Sequence, residues 1–299
     1  MSSTDDRPSG RIGLLILLCT LAVLSPNPIR GQEYQASTPP EGRFLLRVFP
    51  KVFFASAYFD ENGKARNLDG VTGLLHAEFP VNLQYGVTGA LAVGAVLPVA
   101  LTYQEVDPDV RSDPIHRFWM PEGWLTLQYR FWTLPFIASV GLRVKIPLMD
   151  KRDWEDGLRI GDGQVDISPV LHIDYQSPTR YWFTRLTGSY KHRFKSGDEK
   201  PFDEWMLRAM LGLELWDRPK IDLFGFADLT AFRDGDFGSG ELAFFEREGS
   251  LHTLGYGVSF EPYPLGQIYV ETAGDYSGRY RYRAMRWRVG FRHPLGAGR

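Results

Sequence analysis

Residues 73–85, GLLHAEFPVNLQY, alternate between oily and polar side chains with a period of two. Successive side chains of a strand point to opposite sides of a sheet, so this period predicts a β-strand with one apolar and one polar face. The apolar face carries Leu75, Ala77, Phe79, Val81, Leu83 and Tyr85. The polar face carries His76, Glu78, Asn82 and Gln84.

The same alternation recurs along the chain between Gly-, Pro- and Asp-marked breaks. With residues 73–85 it predicts about twelve strands, at 44–58, 91–103, 124–132, 136–147, 164–176, 181–194, 205–216, 221–232, 253–260, 267–274 and 281–291. Long charged connections, at 60–70, 104–123, 149–163, 195–204 and 233–250, alternate with short ones, at 86–89, 133–135, 177–180, 217–219 and 262–266. An even strand number, long outer loops and tight inner turns predict an all-β fold, a transmembrane antiparallel up-and-down β-barrel of about twelve strands.

A soluble sandwich or lipocalin-like barrel would also show alternating strands. Its strands are usually about five or six residues long, which is shorter than the segments found here. Aromatic residues also gather at the strand ends, as an interfacial girdle requires. They are Tyr85, Tyr103, Trp124, Trp132, Tyr175, Tyr181, Trp182, Trp205 and Trp216.

The N-terminus has the layout of a secretory signal peptide. A polar stretch ending in Arg11 precedes the apolar run 12–24 and the helix breakers Ser25 and Pro26. That run is shorter than the roughly twenty residues a membrane-spanning helix needs. We therefore expect a removed signal at 1–31, a short periplasmic segment at 32–43, an outer-membrane barrel at 44–292 and a tail at 293–299. The only cysteine, Cys19, leaves with the signal, which excludes disulfides and thiol chemistry.

Composition narrows the partners. The formal net charge of -2 offers no basic surplus for neutralising phosphates, so nucleic acid is not an expected partner. The expected partners are outer-membrane lipid, the barrel-assembly machinery and a small-molecule solute. The final strand ends on the aromatic Phe291, as assembly signals of outer-membrane proteins do, although the chain continues to Arg299.

The polar strand faces bring charged side chains into the predicted lumen. Buried charges must be paired or hydrated. The set therefore forms either a salt-bridged wall or, in part, the lining of a solute path. The lumen-lining candidates are His76, Glu78, Arg130, Arg143, Lys145, Asp166, His172, Asp174, Arg185, Lys191, Arg193, Arg208, Glu214, Arg286 and Arg288, with Asp222, Asp228 and Glu271 on the same faces.

A barrel enzyme acting on membrane lipids is an alternative from a different class. It needs a nucleophilic Ser, a His and an orienting Asn or Asp at the membrane-facing rim. Ser168, His172 and Asp174 share one strand face, but Ser168 and His172 lie about 13 Å apart along a strand, so a partner from a neighbouring strand would be required. No metal or cofactor site is predicted, because the six histidines are scattered and the acidic loop clusters lack the spacing of a calcium loop.

Several short motifs share an order along the chain. They are Tyr85-Gly86-Val87-Thr88, Leu97-Pro98, Lys145-Ile146-Pro147, Gly161-Asp162-Gly163-Gln164-Val165-Asp166 and Tyr190-Lys191-His192-Arg193-Phe194. In this order the chain resembles the outer-membrane family associated with meta-pathway phenol degradation, whose members look like small-solute transporters. The resemblance implies a barrel fold and uptake of hydrophobic or aromatic solutes. It carries over no functional residue.

The leading functional hypothesis is thus passive or facilitated transport of small solutes through the lumen, without catalysis. A closed barrel with a structural or partner-binding role is the remaining alternative.

Overall fold

A computed structural model describes residues 36–67, 71–106, 115–120, 122–133, 136–148, 164–179, 181–195, 202–217, 219–233, 248–262, 266–279 and 281–295. The predicted signal at 1–31, most of the loops at 149–163 and 233–250, and the acidic loop clusters lie outside these residues. Among the residues that are described, no helix is long and apolar enough to cross a membrane.

The described chain forms fifteen β-strands in one antiparallel sheet. They are β1 (Phe44–Val48), β2 (Lys51–Phe59), β3 (Ala65–Asn67), β4 (Val71–Gly86), β5 (Leu91–Val106), β6 (Ile115–Trp119), β7 (Glu122–Trp132), β8 (Phe136–Pro147), β9 (Asp166–Gln176), β10 (Trp182–Arg193), β11 (Asp203–Asp217), β12 (Lys220–Arg233), β13 (Gly249–Glu261), β14 (Gln267–Arg279) and β15 (Arg281–Leu295).

Three pairs of these elements are halves of single barrel strands. β1 and β2 both pair with β4 and with β15, β3 and β4 both pair with β2, and β6 and β7 both pair with β5. The remaining strands pair in chain order, and β15 returns to β1 and β2. The sheet therefore closes into the predicted barrel of twelve antiparallel strands.

Proline explains the first of these interruptions. Pro50 separates β1 from β2 and has no N–H to give to the ladder. Its carbonyl still accepts a hydrogen bond from the N–H of Val289 at 3.0 Å, and the N–H of Phe49 donates to the carbonyl of Pro80 at 3.2 Å. The strand thus breaks its regular pairing without leaving the wall.

Two of the predicted long loops are partly strand. Residues 60–70 contain β3, which folds back on β2 through a turn at Asp60. Asp60 accepts hydrogen bonds from the N–H groups of Asn62 and Lys64 and from Arg66 Nε, at 3.0, 2.8 and 3.0 Å. Residues 104–123 contain β6, which extends the pairing of β5. Cross-strand hydrogen bonds therefore carry the ladder past the point where the apolar alternation fades.

The outward face is strongly apolar. Leu211, Leu215 and Leu254 have 57%, 58% and 54% of their surface exposed, and similar side chains surround the barrel. Exposed apolar surface this continuous is typical of a membrane-facing wall. At the end of the barrel that carries the short turns, called the turn end below, Tyr175 lies between Phe136 and Trp182 with ring centroids 5.0 and 5.1 Å away. The opposite end is called the loop end.

One member of the predicted girdle is misplaced. Trp124 pairs in register with Lys145, whose side chain is buried on the inward face. Its indole N–H donates to Glu122 Oε1 at 2.8 Å. The prediction was wrong for this residue because strand-end position alone does not distinguish the two faces of a strand.

Candidate functional site: the barrel interior

The predicted lumen residues share the inward face of the sheet. On β9 the buried residues Asp166, Ser168, Val170, His172 and Asp174 alternate with more exposed neighbours, and cross-strand pairing propagates this face around the wall. All fifteen candidates lie on it, as do Asp222, Asp228 and Glu271. The interior is therefore a ladder of ionisable side chains.

The most deeply buried pair is Lys145 with Asp166, on neighbouring strands β8 and β9. Lys145 Nζ lies 2.8 Å from Asp166 Oδ2, and the side chains are only 2% and 1% exposed. Glu122 approaches the same ammonium at 3.6 Å. Water cannot replace either partner at this depth, so this pair fixes the local wall.

Charge networks also cover the loop-end half of β10 and β11. Lys191 and Arg193 both reach Glu204 Oε2, at 2.9 and 3.3 Å. Lys191 also lies 5.9 Å from the centre of the Trp124 ring, an inward-facing side chain three strands away. The interior is therefore narrow enough for side chains of separated strands to meet.

A second network joins β11, β12, β14 and β15. Arg208 contacts Glu271 at 3.0 Å and Asp228 at 3.6 Å, and Arg288 contacts the other oxygen of Glu271 at 2.7 Å. Beside it, Arg286 binds both oxygens of Asp275, at 2.6 and 2.8 Å.

Two smaller networks complete the paired wall. Glu78 lies 2.7 Å from Lys51 Nζ and 3.8 Å from His76 Nε2. At the turn end, Lys220 lies 3.4 Å from Glu214 and 3.9 Å from Asp222.

The remaining candidates have no carboxylate salt bridge. His172 Nδ1 lies 3.1 Å from Thr187 Oγ1, and an Arg130 guanidinium N–H donates to the carbonyl of Gly89. Asp174 accepts a 2.9 Å hydrogen bond from the backbone N–H of Ala36. Arg143 and Arg185 make no salt bridge among the described residues.

The segment before β1 runs inside the barrel. Ala36, Ser37 and Thr38 are 0%, 1% and 0% exposed. Ala36 contacts Asp174 on the far wall, while Thr38 Oγ1 donates to the carbonyl of Gly89 at 3.1 Å. Residues 36–40 therefore cross the interior at the turn end and narrow it.

Gly86 makes room for this segment. A Cβ on Gly86 would lie 2.2 Å from the carbonyl oxygen of Pro40 and 2.6 Å from that of Pro39. The backbone also exchanges hydrogen bonds here, from Gly42 N–H to the Gly86 carbonyl at 2.8 Å and from Gly86 N–H to the Arg43 carbonyl at 2.9 Å. The segment is thus seated by the barrel wall.

Sequence reasoning missed several of these interior groups. The charges Arg47, Lys51, Glu204, Asp275 and Arg292 face inward, and Glu204, Asp275 and Arg292 lie just beyond the predicted strand ends. Extending the alternation by one residue would have found these three. No periodic signal marks residues 36–40, because they make no regular strand.

The outward face carries an apolar groove of about 640 Å³ across β8 to β13. Cross-strand neighbours Val140, Leu171, Gly188, Leu207, Leu229 and His252 follow it in that order. Tyr190 and Trp205, with ring centroids 4.4 Å apart, border it on the loop-end side. The absent side chain of Gly188 leaves the depression between the leucines.

One end of this groove holds a serine and a histidine in contact. Ser277 Oγ lies 2.9 Å from His252 Nδ1, and the two are cross-strand neighbours on the outward face. The trio Ser168, His172 and Asp174 instead faces inward, and His172 contacts Thr187. Among the described residues, no group of three or more His, Cys, Asp or Glu side chains is placed to hold a metal ion.

Two solved structures share this fold. An outer membrane channel from Pseudomonas putida F1 has a TM-score of 0.72 and 13% identity, with 89% of this chain and 100% of that chain covered. The beta domain of the Bordetella autotransporter Brka has a TM-score of 0.51 and 12% identity, with 85% and 100% covered. No protein-family model and no curated protein matches the sequence. At these identities the likeness is one of fold: this chain has the fold of outer-membrane barrels.

Proposed function

We propose that this protein is an outer-membrane channel or transporter for small solutes, with hydrophobic or aromatic molecules as the preferred class. The observation that carries the proposal is the accessibility of inward charges. The side chains of Lys51, Arg286 and Arg288 are 42%, 35% and 33% exposed although they point into the barrel. An interior that hydrates its wall charges has room for a solute path.

The N-terminal segment limits what can pass. Residues 36–40 cross the turn end, so free flow of large hydrophilic molecules is disfavoured. Preference for hydrophobic or aromatic solutes rests on the resemblance to the phenol-degradation family. The outward apolar groove is compatible with it, because hydrophobic molecules partition into the membrane and concentrate at such a surface.

The test is flux and conductance of the purified full-length protein in liposomes, without and with residues 32–40 removed. We expect small discrete conductance from the parent protein and a several-fold increase after removal, because the segment obstructs the turn end. A matched control replaces the exposed turn residues 61–63 with Gly and Ser, which should leave conductance unchanged. No flux from either protein would refute a channel and favour a closed structural or partner-binding barrel.

Solute preference needs a separate comparison. Uptake of toluene or phenol into cells that carry the protein is measured against uptake of a sugar of similar size. Faster uptake of the aromatic solutes alone supports the proposed class. Equal acceleration of both solutes contradicts it while leaving the channel intact.

A second candidate function, hydrolysis of membrane-lipid esters, is favoured by the Ser277–His252 contact. Ser277 Oγ would attack the ester carbonyl and pass its proton to His252, the lysolipid would leave with that proton, and water would then release the fatty acid from the acyl-serine. Release of fatty acid from phospholipid vesicles, lost in Ser277→Ala and retained in Ser250→Ala, would establish it. No release from the parent protein would dismiss it.

A further inference from the structure

Four inward-facing arginines, Arg47, Arg143, Arg185 and Arg292, form what we call the arginine cluster. Arg47 and Arg292 are direct cross-strand neighbours on β1 and β15. Like charges directly opposite each other destabilise a sheet pair. Such a pairing therefore needs compensation from a negative group.

The other two members come from the far side of the barrel, on β8 and β10. Arg143 interacts electrostatically with Arg47, and Arg185 with Arg292. β10 stands six barrel strands from β1, so the guanidinium groups converge from opposite walls. Their common location is the interior next to residues 36–40, where an Arg292 N–H reaches Ser37 Oγ at 3.4 Å.

No cluster member makes a salt bridge to a carboxylate among the described residues. Arg47 Nη2 and Arg185 Nε are buried and have no hydrogen-bond partner there. Arg185 otherwise approaches only Met210 Sδ, at 4.0 Å, and the Phe183 ring, at 4.6 Å. Elsewhere on the same wall, Arg208, Arg286 and Arg288 reach carboxylates at 2.6 to 3.0 Å. The arginine cluster thus stands apart from the paired wall.

The nearby acids do not balance the cluster. Asp174 interacts electrostatically with Arg47 and Arg292, and Glu261 with Arg292. Asp174 also accepts the N–H of Ala36. Four cations face two anions, which leaves a surplus of two positive charges in the interior.

We propose that the arginine cluster binds the carboxylate of a small organic anion inside the barrel. Guanidinium groups offer planar pairs of N–H donors that match a carboxylate with two parallel hydrogen bonds. An apolar cluster lies beside it on the same face, since Arg185 pairs in register with Met210, which packs with Phe183, Phe224 and Phe226. An anionic head against the arginines and an apolar body against these side chains describe an aromatic or short aliphatic carboxylate.

This inference rests on the proposed function, because it names a solute class for the same interior. Binding and passage are nevertheless separate measurements. A protein that binds the anion without conducting would refute the channel and keep this site. A protein that conducts without binding it would do the reverse.

The binding test uses the full chain in lipid nanodiscs, titrated calorimetrically with benzoate, benzyl alcohol and inorganic phosphate. We expect benzoate to bind and benzyl alcohol not to bind. Arg143→Gln should weaken benzoate about tenfold, the equivalent of roughly one lost charge-assisted contact. The matched control is Arg283→Gln, an exposed arginine outside the cluster, which should bind as the parent does. Equal binding of benzyl alcohol, or phosphate binding as tight as benzoate, overturns the organic-carboxylate assignment.

A second readout separates a binding residue from a structural one. Without ligand, Arg143→Gln removes like-charge repulsion, so the urea midpoint of unfolding should rise or stay constant, and added benzoate should raise the parent's midpoint more than the variant's. A clear fall of the midpoint in Arg143→Gln would mean that the guanidinium is a structural partner and would overturn the proposal.

Discussion

Removing the ammonium of Lys145 provides the sharpest test of how the barrel wall is held together. Lys145 and Asp166 are 2% and 1% exposed, with 2.8 Å between Nζ and Oδ2. Lys145→Met leaves the Asp166 carboxylate buried without its cation. Breaking a buried pair in this way costs about 3–5 kcal/mol, because the remaining charge stays out of water. At about 1.4 kcal/mol per factor of ten, the unfolding equilibrium constant should rise at least about a hundredfold.

The assay is reversible urea unfolding in phospholipid vesicles, followed by the fluorescence of the eight tryptophans. Lys145→Met/Asp166→Leu removes both charges and should recover most of the lost free energy, since an apolar pair of similar volume is often as stable as the ion pair. Glu122, at 25% side-chain exposure, can hydrate when Lys145 is gone.

A surface pair serves as the control. Arg66 lies 3.0 Å from Asp60 but its side chain is 53% exposed, so Arg66→Met should cost less than about 1 kcal/mol. The reasoning fails if Lys145→Met is as mild as Arg66→Met. It also fails if the double variant is no more stable than Lys145→Met.

Three further results are expected. Leu211→Arg, on the outward face, should cost about 2–4 kcal/mol in vesicle unfolding if the residue lies near the bilayer midplane, and a cost near zero would contradict a lipid-facing wall. Gly86→Val should displace residues 36–40, because a Cβ there meets the Pro40 carbonyl oxygen at 2.2 Å, and conductance should rise as it does after removal of 32–40; unchanged conductance would separate the segment from gating. The N–H of Lys64 and the Arg66 side chain hold the pKa of Asp60 below its usual range, so the stabilisation of this turn is complete above the unfolded-state pKa and is lost as pH falls through the lower, folded-state pKa. Proteolysis of the β2–β3 turn should accelerate in acid, and Asp60→Asn should remove that dependence.

The predicted lumen set shows how far alternation reaches. Asp166, His172 and Asp174 are assigned to one face by spacing alone, and the structure puts them on one face. Partner choice is different, since Lys145 meets Asp166 only because β8 and β9 pair in one particular register. Shifting that register by one residue would turn every side chain of a strand to the other face.

The lipid-enzyme hypothesis illustrates the same limit. Ser168 and His172 are close in sequence, but 13 Å of extended chain separates residues at that spacing, roughly as estimated from the strand rise. Ser277 and His252 are 25 residues apart and touch across β13 and β14. A contact between neighbouring strands leaves no local signature in either strand.

The sequence by itself determined the class of fold, the twelve strands and which charges share the interior, because a period of two is a property of each strand alone. Tertiary structure alone decided the ion-pair partners, the convergence of Arg47, Arg143, Arg185 and Arg292, and the course of residues 36–40 through the interior. These depend on register and closure, which bring distant strands face to face. Periodicity within a strand carries no record of what stands on the opposite wall.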